Sequence, residues 1–164
     1  MTRIERSIGI AAPVSVVQEV IWDFASYPEF VPHMEQAQIL RANEDEKRVR
    51  FTVNILRRLS YTLDLKSTAG KGMVWSLVEG PFHRNEGGWA LQSLGPNRTR
   101  ATYHIDVSLT AFTPRFIEDR LIAQSLPETL GAFRKEAERQ ATSGPSSAKG
   151  NADGSAEGSA DRQN

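Results

Sequence analysis

The sequence has no cysteine, only three histidines, no excess of either charge and no long apolar run. Without cysteine there is no disulfide, no thiol nucleophile and no cysteine-ligated metal. His33, His83 and His104 stand at no metal-ligand spacing and form no His-Glu-x-x-His motif, so neither a metal nor another cofactor is expected. Lys and Arg together number 20, as do Asp and Glu. Such balance argues against a dedicated nucleic-acid binder, and no DNA partner is expected. No stretch approaches the roughly 18 apolar residues of a membrane-spanning helix. The opening Met1-Thr-Arg-Ile-Glu-Arg6 is too charged for a signal peptide. A soluble, cytoplasmic, single-domain protein is the expectation.

What apolar residues there are, 39% of the chain, are gathered. From Ala141 to Asn164 they amount to five alanines among Gly, Ser and polar residues. That stretch cannot bury enough apolar surface to offset the entropy of ordering it. It reads as a disordered, solubilising Gly/Ser/Ala-rich tail (141–164) behind a folded body (1–140). The tail takes two basic and three acidic residues, leaving 18 against 17 in the body.

Within the body the apolar period changes in order. Ile4, Ile8 and Ile10 share one parity, as in a short strand interrupted by Arg6. Ala12-Pro13 then opens a helix carrying Val16, Val17, Val20, Ile21 and Phe24 at helical spacing. Ser26-Tyr-Pro-Glu-Phe-Val-Pro32 reads as a short helical turn between prolines. From Ala37 and Ile39 onward the period is two. Val49, Phe51, Val53 and Ile55 alternate with polar residues, as do Leu59, Tyr61, Leu63 and Leu65. Trp75 and Leu77, Trp89 and Leu91, and the run Ala101, Tyr103, Ile105, Val107, Leu109 repeat the pattern. The turns are Asn43–Glu46, Ala69–Gly72, Gly80-Pro81 and Gly95–Asn97. These are antiparallel strands with one apolar face each. A last helix starts at Thr113-Pro114 and runs to about Gln140, with a kink or a break at Pro127 and Ser125 as the new cap. About 27 helical residues would span about 40 Å. The expected fold class is α+β: a curved antiparallel sheet of six to seven strands wrapped around a long C-terminal helix, with two short helices after the first strand.

This order resembles the helix-grip fold of START domains, Bet v 1-like proteins and polyketide cyclases. Asp23-Phe-Ala-Ser-Tyr27-Pro28-Glu-Phe30-Val-Pro32 resembles the D-x-x-x-Y-P-x-F-x-P segment of the coenzyme Q-binding Coq10-type family. Gly80-Pro81-Phe82, followed by Glu86 and Trp89, is similar to that family's G-P-F…L-E…W segment. Asn85, where an apolar residue belongs, and Gly87 and Gly88 depart from it. The resemblance covers residues 3–140. It implies an internal cavity for a hydrophobic small molecule, an isoprenoid quinone or another lipid, with binding, transport or chaperoning as the function.

The strand parities and helical spacings nominate Phe24, Tyr27, Phe30, Phe51, Val53, Trp75, Leu77, Trp89, Tyr103, Ile105, Phe116, Leu126 and Leu130 as ligand-binding residues. The Tyr27–Pro32 segment and the turn at Gly80–Phe82 would border the mouth. No catalytic residue is nominated. His104 and Asp106 sit on the polar parity of the last strand, and no serine occupies a nucleophile turn. Gly70-Lys-Gly72 lacks the rest of a phosphate-loop signature and reads as a hairpin turn. Arg48, Arg50, Arg57 and Arg58 form a basic edge suited either to transient contact with an anionic membrane or RNA, or to a solvated face balanced by Glu44, Asp45 and Glu46. Two alternatives to ligand binding stand beside it. One is a cyclase or aromatase using Tyr61, Tyr103 or an inward Arg6. The other is ribosome association, as in the toxins that share this family.

Overall fold

In a computed structural model of the chain, residues 2–55, 57–110, 114–120, 123 and 125–143 are described. The expected cap at Thr113, the apolar positions Leu121 and Ile122, and the tail beyond Ser143 lie outside them.

Strand β1 (Thr2–Ile10) buries Ile4 and Ile10, while Arg6 between them is exposed. Pro13 is the cap of helix α1 (Val14–Trp22), one residue earlier than its expected place inside the first turn. Its backbone is extended, and its carbonyl accepts from the N–H groups of Val16 and Val17 at 3.0 and 3.1 Å. A proline without an N–H loses nothing there. Helix α1 buries Val17, Val20 and Ile21, the stripe its spacing predicts. It stops at Trp22; Phe24 opens a separate 3-10 turn (Phe24–Ser26) that leads into α2 (Tyr27–Phe30). The Tyr27 hydroxyl donates to the Ile21 carbonyl, one of the acceptors left open by the end of α1.

Strands β2 (Met34–Ala42), β3 (Glu46–Ile55), β4 (Arg57–Ser67), β5 (Gly72–Glu79), β6 (Phe82–Gly95) and β7 (Arg98–Leu109) complete an antiparallel sheet. The order is β1-β7-β6-β5-β4-β3-β2, so α1 and α2 carry the chain from one edge of the sheet to the other. The expected alternation is realised: Val49, Phe51, Val53 and Ile55 of β3 are all buried, as are Leu59, Leu63 and Leu65 of β4. Edge strand β2 is the exception. Ile39 and Leu40 are both exposed, beside an irregularity in the pairing between Ile39 and Arg41. Such a bulge interrupts the edge and discourages further strand pairing. The Ala69–Gly72 segment is a hairpin turn, with φ of 77° at Gly70 and 123° at Gly72. It docks on α1 through Gln18, whose side-chain oxygen accepts from Gly72 N–H at 2.7 Å.

Helix α3 (Arg115–Arg120) precedes α4 (Leu126–Ser143), whose second residue is Pro127. Ala123 and Ser125, just before it, are π-helical, so Ser125 belongs to a helical turn rather than serving as a new cap, and the helical path is irregular next to the proline. Helix α4 runs three residues past the expected end at Gln140. It buries Leu130, Phe133 and Ala137 and is tied to the end of β1 by a hydrogen bond of 2.9 Å from Ala11 N–H to Glu138 Oε2. Phe133 meets Tyr27 of α2 and Trp89 of β6, which places the helix across the concave face of the sheet. Among the described residues no helix is long and apolar enough to cross a membrane.

Candidate functional site

Between sheet and helix lies a cavity of about 200 Å³. A chain of aromatic rings runs along its wall. Phe82 meets Tyr61 at 5.3 Å between centroids, Tyr61 meets Phe51 at 5.7 Å, and Phe51 stacks on Tyr27 at 6.0 Å. Tyr27 then meets Phe133 edge-on at 5.1 Å, Phe133 meets Trp89 at 5.3 Å, and Trp89 meets Tyr103 at 5.1 Å. Tyr103 and Trp75 close the series at 5.6 Å. These rings come from α2, α4 and five strands, and every one of them lines the cavity. Edge-on and offset contacts are the preferred geometries for aromatic pairs, so the rings hold each other's orientation.

Polar groups interrupt the apolar wall at few points. Trp75 Nε1 donates to Asn85 Oδ1 at 3.0 Å, and Asn85 is buried. The indole lies against Gly87: a Cβ built there would stand 2.7 Å from the Trp75 ring and 2.3 Å from the His104 carbonyl. Asn85 and Gly87, two departures from the family pattern, are thus the acceptor and the bed of one tryptophan. Tyr61 and Tyr103 also face the cavity, and their hydroxyls have no hydrogen-bond partner among the described residues. Burial pushes the Tyr61 phenol up to about 12 and raises Tyr103 further, with a smaller contribution from Tyr61 itself. Tyr27 is raised well above its ordinary value, chiefly by burial. All three phenols therefore stay neutral at ordinary pH and cannot act as bases.

Among the described lining residues there is no Asp, Glu, His, Lys or Arg. Nor does any group of three metal-ligating side chains occur among the described residues. The cyclase alternative needs an ionisable group inside. Tyr61 and Tyr103 are there as neutral donors, whereas Arg6 is exposed on β1 with its guanidinium on the neighbouring Glu5 carbonyl.

Of the nominated residues, Phe24, Tyr27, Phe51, Val53, Trp75, Trp89, Tyr103, Ile105 and Leu126 lie on the cavity wall. Four lie elsewhere. Phe30 packs behind Tyr27 and Phe133. Leu130 is core, because Leu126, Thr129 and Phe133 take the stripe of α4 that faces the cavity. Leu77 packs on the cluster of Phe82, Val107 and Leu109. Phe116 is 61% exposed on α3. Sequence parity reaches other wall residues that were not nominated, such as Leu59, Leu63 and Val107. Val31, Pro32 and Phe82 contribute as the expected mouth segments suggest. Asn85, Ser125 and Thr129 carry no local signal, since a single polar residue near a strand or helix looks solvent-facing in sequence.

Three arginines of the expected basic edge have carboxylate partners. Arg48 makes a two-pronged contact with Asp64 at 2.7 and 2.9 Å, Arg58 binds Glu35 at 2.7 Å, and Arg50 approaches Glu79 at 3.5 Å. The balancing carboxylates are thus those of other strands, one or two positions across the sheet, rather than Glu44, Asp45 and Glu46. Asp106 accepts from Arg84 Nε at 3.1 Å, and His33 meets Glu128 at 3.3 Å.

Residues 10–128 match the family described as polyketide cyclase / dehydrase and lipid transport. In sequence the chain is 25% identical over 119 residues to the ribosome association toxin RatA of Escherichia coli K12, covering 72% of this chain and 73% of that protein. In structure it superposes on the Zhui aromatase/cyclase from Streptomyces sp. R1128 with a TM-score of 0.78 and 21% identity, over 85% of this chain and 94% of the other. A START superfamily protein from Mycobacterium smegmatis gives 0.73 at 20% identity, over 84% and 97%. These likenesses place the fold among the START-like, helix-grip proteins. The chain belongs to the polyketide cyclase / dehydrase and lipid transport family.

Proposed function

We propose that the protein binds a hydrophobic small molecule in the cavity between sheet and helix. The observation that carries this reading is a wall of aromatic and aliphatic side chains with no charged residue among those described. Enclosing roughly 200 Å² of apolar ligand surface contributes on the order of 5 kcal/mol before the cost of immobilisation. The volume lies below the roughly 300–1,000 Å³ common for ligand pockets. A ring with a short chain matches that space. An isoprenoid quinone, suggested by the Coq10-type segment at Asp23–Pro32, would bury its ring and leave most of its tail outside. Organic extraction of the natively purified protein, read by mass spectrometry, should yield a stoichiometric apolar compound. Protein that is repeatedly empty and takes up neither short-chain quinones nor lipids would sink the reading.

Ribosome association is the second reading, favoured by the likeness to the ribosome association toxin RatA. The cross-strand pairing of Arg48, Arg50 and Arg58 leaves less uncompensated positive charge for RNA on that face. Co-sedimentation with ribosomes across a salt series tests it, and a protein that stays in the supernatant at low salt counts against it.

A further inference from the structure

We infer that the cavity wall carries a donor pole, formed by the hydroxyls of Tyr61 and Tyr103 and the amide nitrogen of Asn85, which selects a neutral ligand bearing an acceptor oxygen over a carboxylate or a plain hydrocarbon. The inference rests on the ligand-binding reading above and names the class of ligand. Asn85 decides its polarity. An indole N–H can only donate, so Asn85 must turn its oxygen to Trp75, and this leaves both amide protons available. Neither Tyr61 nor Tyr103 has a hydrogen-bond partner among the described residues, so their O–H groups are available too. All three residues line the cavity, and none of the three donors is a sealed, unpartnered atom, so an acceptor on a ligand can meet them without breaking a bond among the described residues. A ketone or quinone oxygen supplies it. A carboxylate would leave water for a cavity without a cation among the described residues, and a hydrocarbon would leave the donors unmet. Burial holds the phenols in their protonated, donating form.

Three bicyclic probes of similar size separate the cases: 2-acetonaphthone, naphthalene and 2-naphthoate. Their binding is followed at pH 8 through the indole N–H resonances of Trp75 and Trp89. The ketone should bind at least tenfold more tightly than either of the others. Tyr61→Phe and Tyr103→Phe should each lower ketone affinity about three- to tenfold, the worth of a neutral hydrogen bond, and leave naphthalene within twofold. Neither substitution breaks a hydrogen bond among the described residues or removes a ring. Equal affinity for all three probes, naphthoate binding as tightly as the ketone, or ketone affinity unmoved in both variants overturns the donor pole while the cavity-binding reading stands. Failure of every probe to shift either indole removes the binding reading and the donor pole with it.

Discussion

The indole N–H of Trp75 on β5 reaches the side-chain oxygen of Asn85 on β6 across 3.0 Å inside a mostly apolar wall. Ten residues separate them in the chain, and Gly87 supplies the flat surface on which the indole rests. One hydrogen bond and one missing side chain together orient a large ring on the cavity wall.

Removing the acceptor should be costly. Asn85→Leu restores the apolar residue typical of the family segment but strands a buried indole N–H, at a cost of about 1–3 kcal/mol in urea unfolding. Introducing Trp75→Phe into that variant should recover part of the loss, so the double-mutant cycle closes with a coupling well above zero. Strictly additive losses would show that the bond contributes nothing.

Two glycine substitutions should move stability in opposite directions. Gly87→Ala places a methyl group 2.3 Å from the His104 carbonyl and should cost about 1–3 kcal/mol or more. Gly131→Ala sits within α4 with nothing inside 4 Å of its added Cβ, and should stabilise by about 0.5–1 kcal/mol. Thermal melts of the two variants read both signs, and a neutral Gly87→Ala would contradict the packing of Trp75.

Phe133 touches Tyr27, Phe30 and Trp89 at once. Phe133→Ala should therefore lose about 3–5 kcal/mol, the range for a buried aromatic, when measured by denaturant unfolding. A loss below about 1 kcal/mol would mean that α4 is not held on the sheet by this ring.

The chain contains three tyrosines, and all three line the cavity. Their phenols are raised above the ordinary value near 10, Tyr61 to about 12. Stability from keeping these groups neutral is fully present below the unfolded value near 10 and is lost as pH climbs through the folded value. For Tyr61 alone this amounts to about 2–3 kcal/mol. Phenolate absorbance should stay flat past pH 10 and then rise together with unfolding. An independent titration centred at pH 10 in the folded protein would refute the burial.

Strand parity was legible because it is local: Phe51, Trp75, Trp89 and Tyr103 share the apolar side of their strands, and all four stand on the cavity wall. The helical irregularity next to Pro127 was legible for the same reason, since proline's missing N–H acts within a single turn. The partners of the arginines were not. Glu44, Asp45 and Glu46 are nearest in sequence, but sheet register sets Arg48 directly opposite Asp64. Nor was the exposure of Phe116, whose spacing matched the apolar positions of the last helix.

By itself the sequence determined the order of elements, the apolar face of nearly every strand and the absence of thiol chemistry, because periodicity and composition act over a few residues. Only the tertiary structure decided which apolar residues enclose space rather than fill it, separating Leu126 on the wall from Leu130 in the core. It alone turned Asn85 from an apparent flaw in a motif into the partner of Trp75. The reason is geometric: a face is set by neighbours along the chain, whereas a cavity is set by distances between elements that the chain keeps far apart.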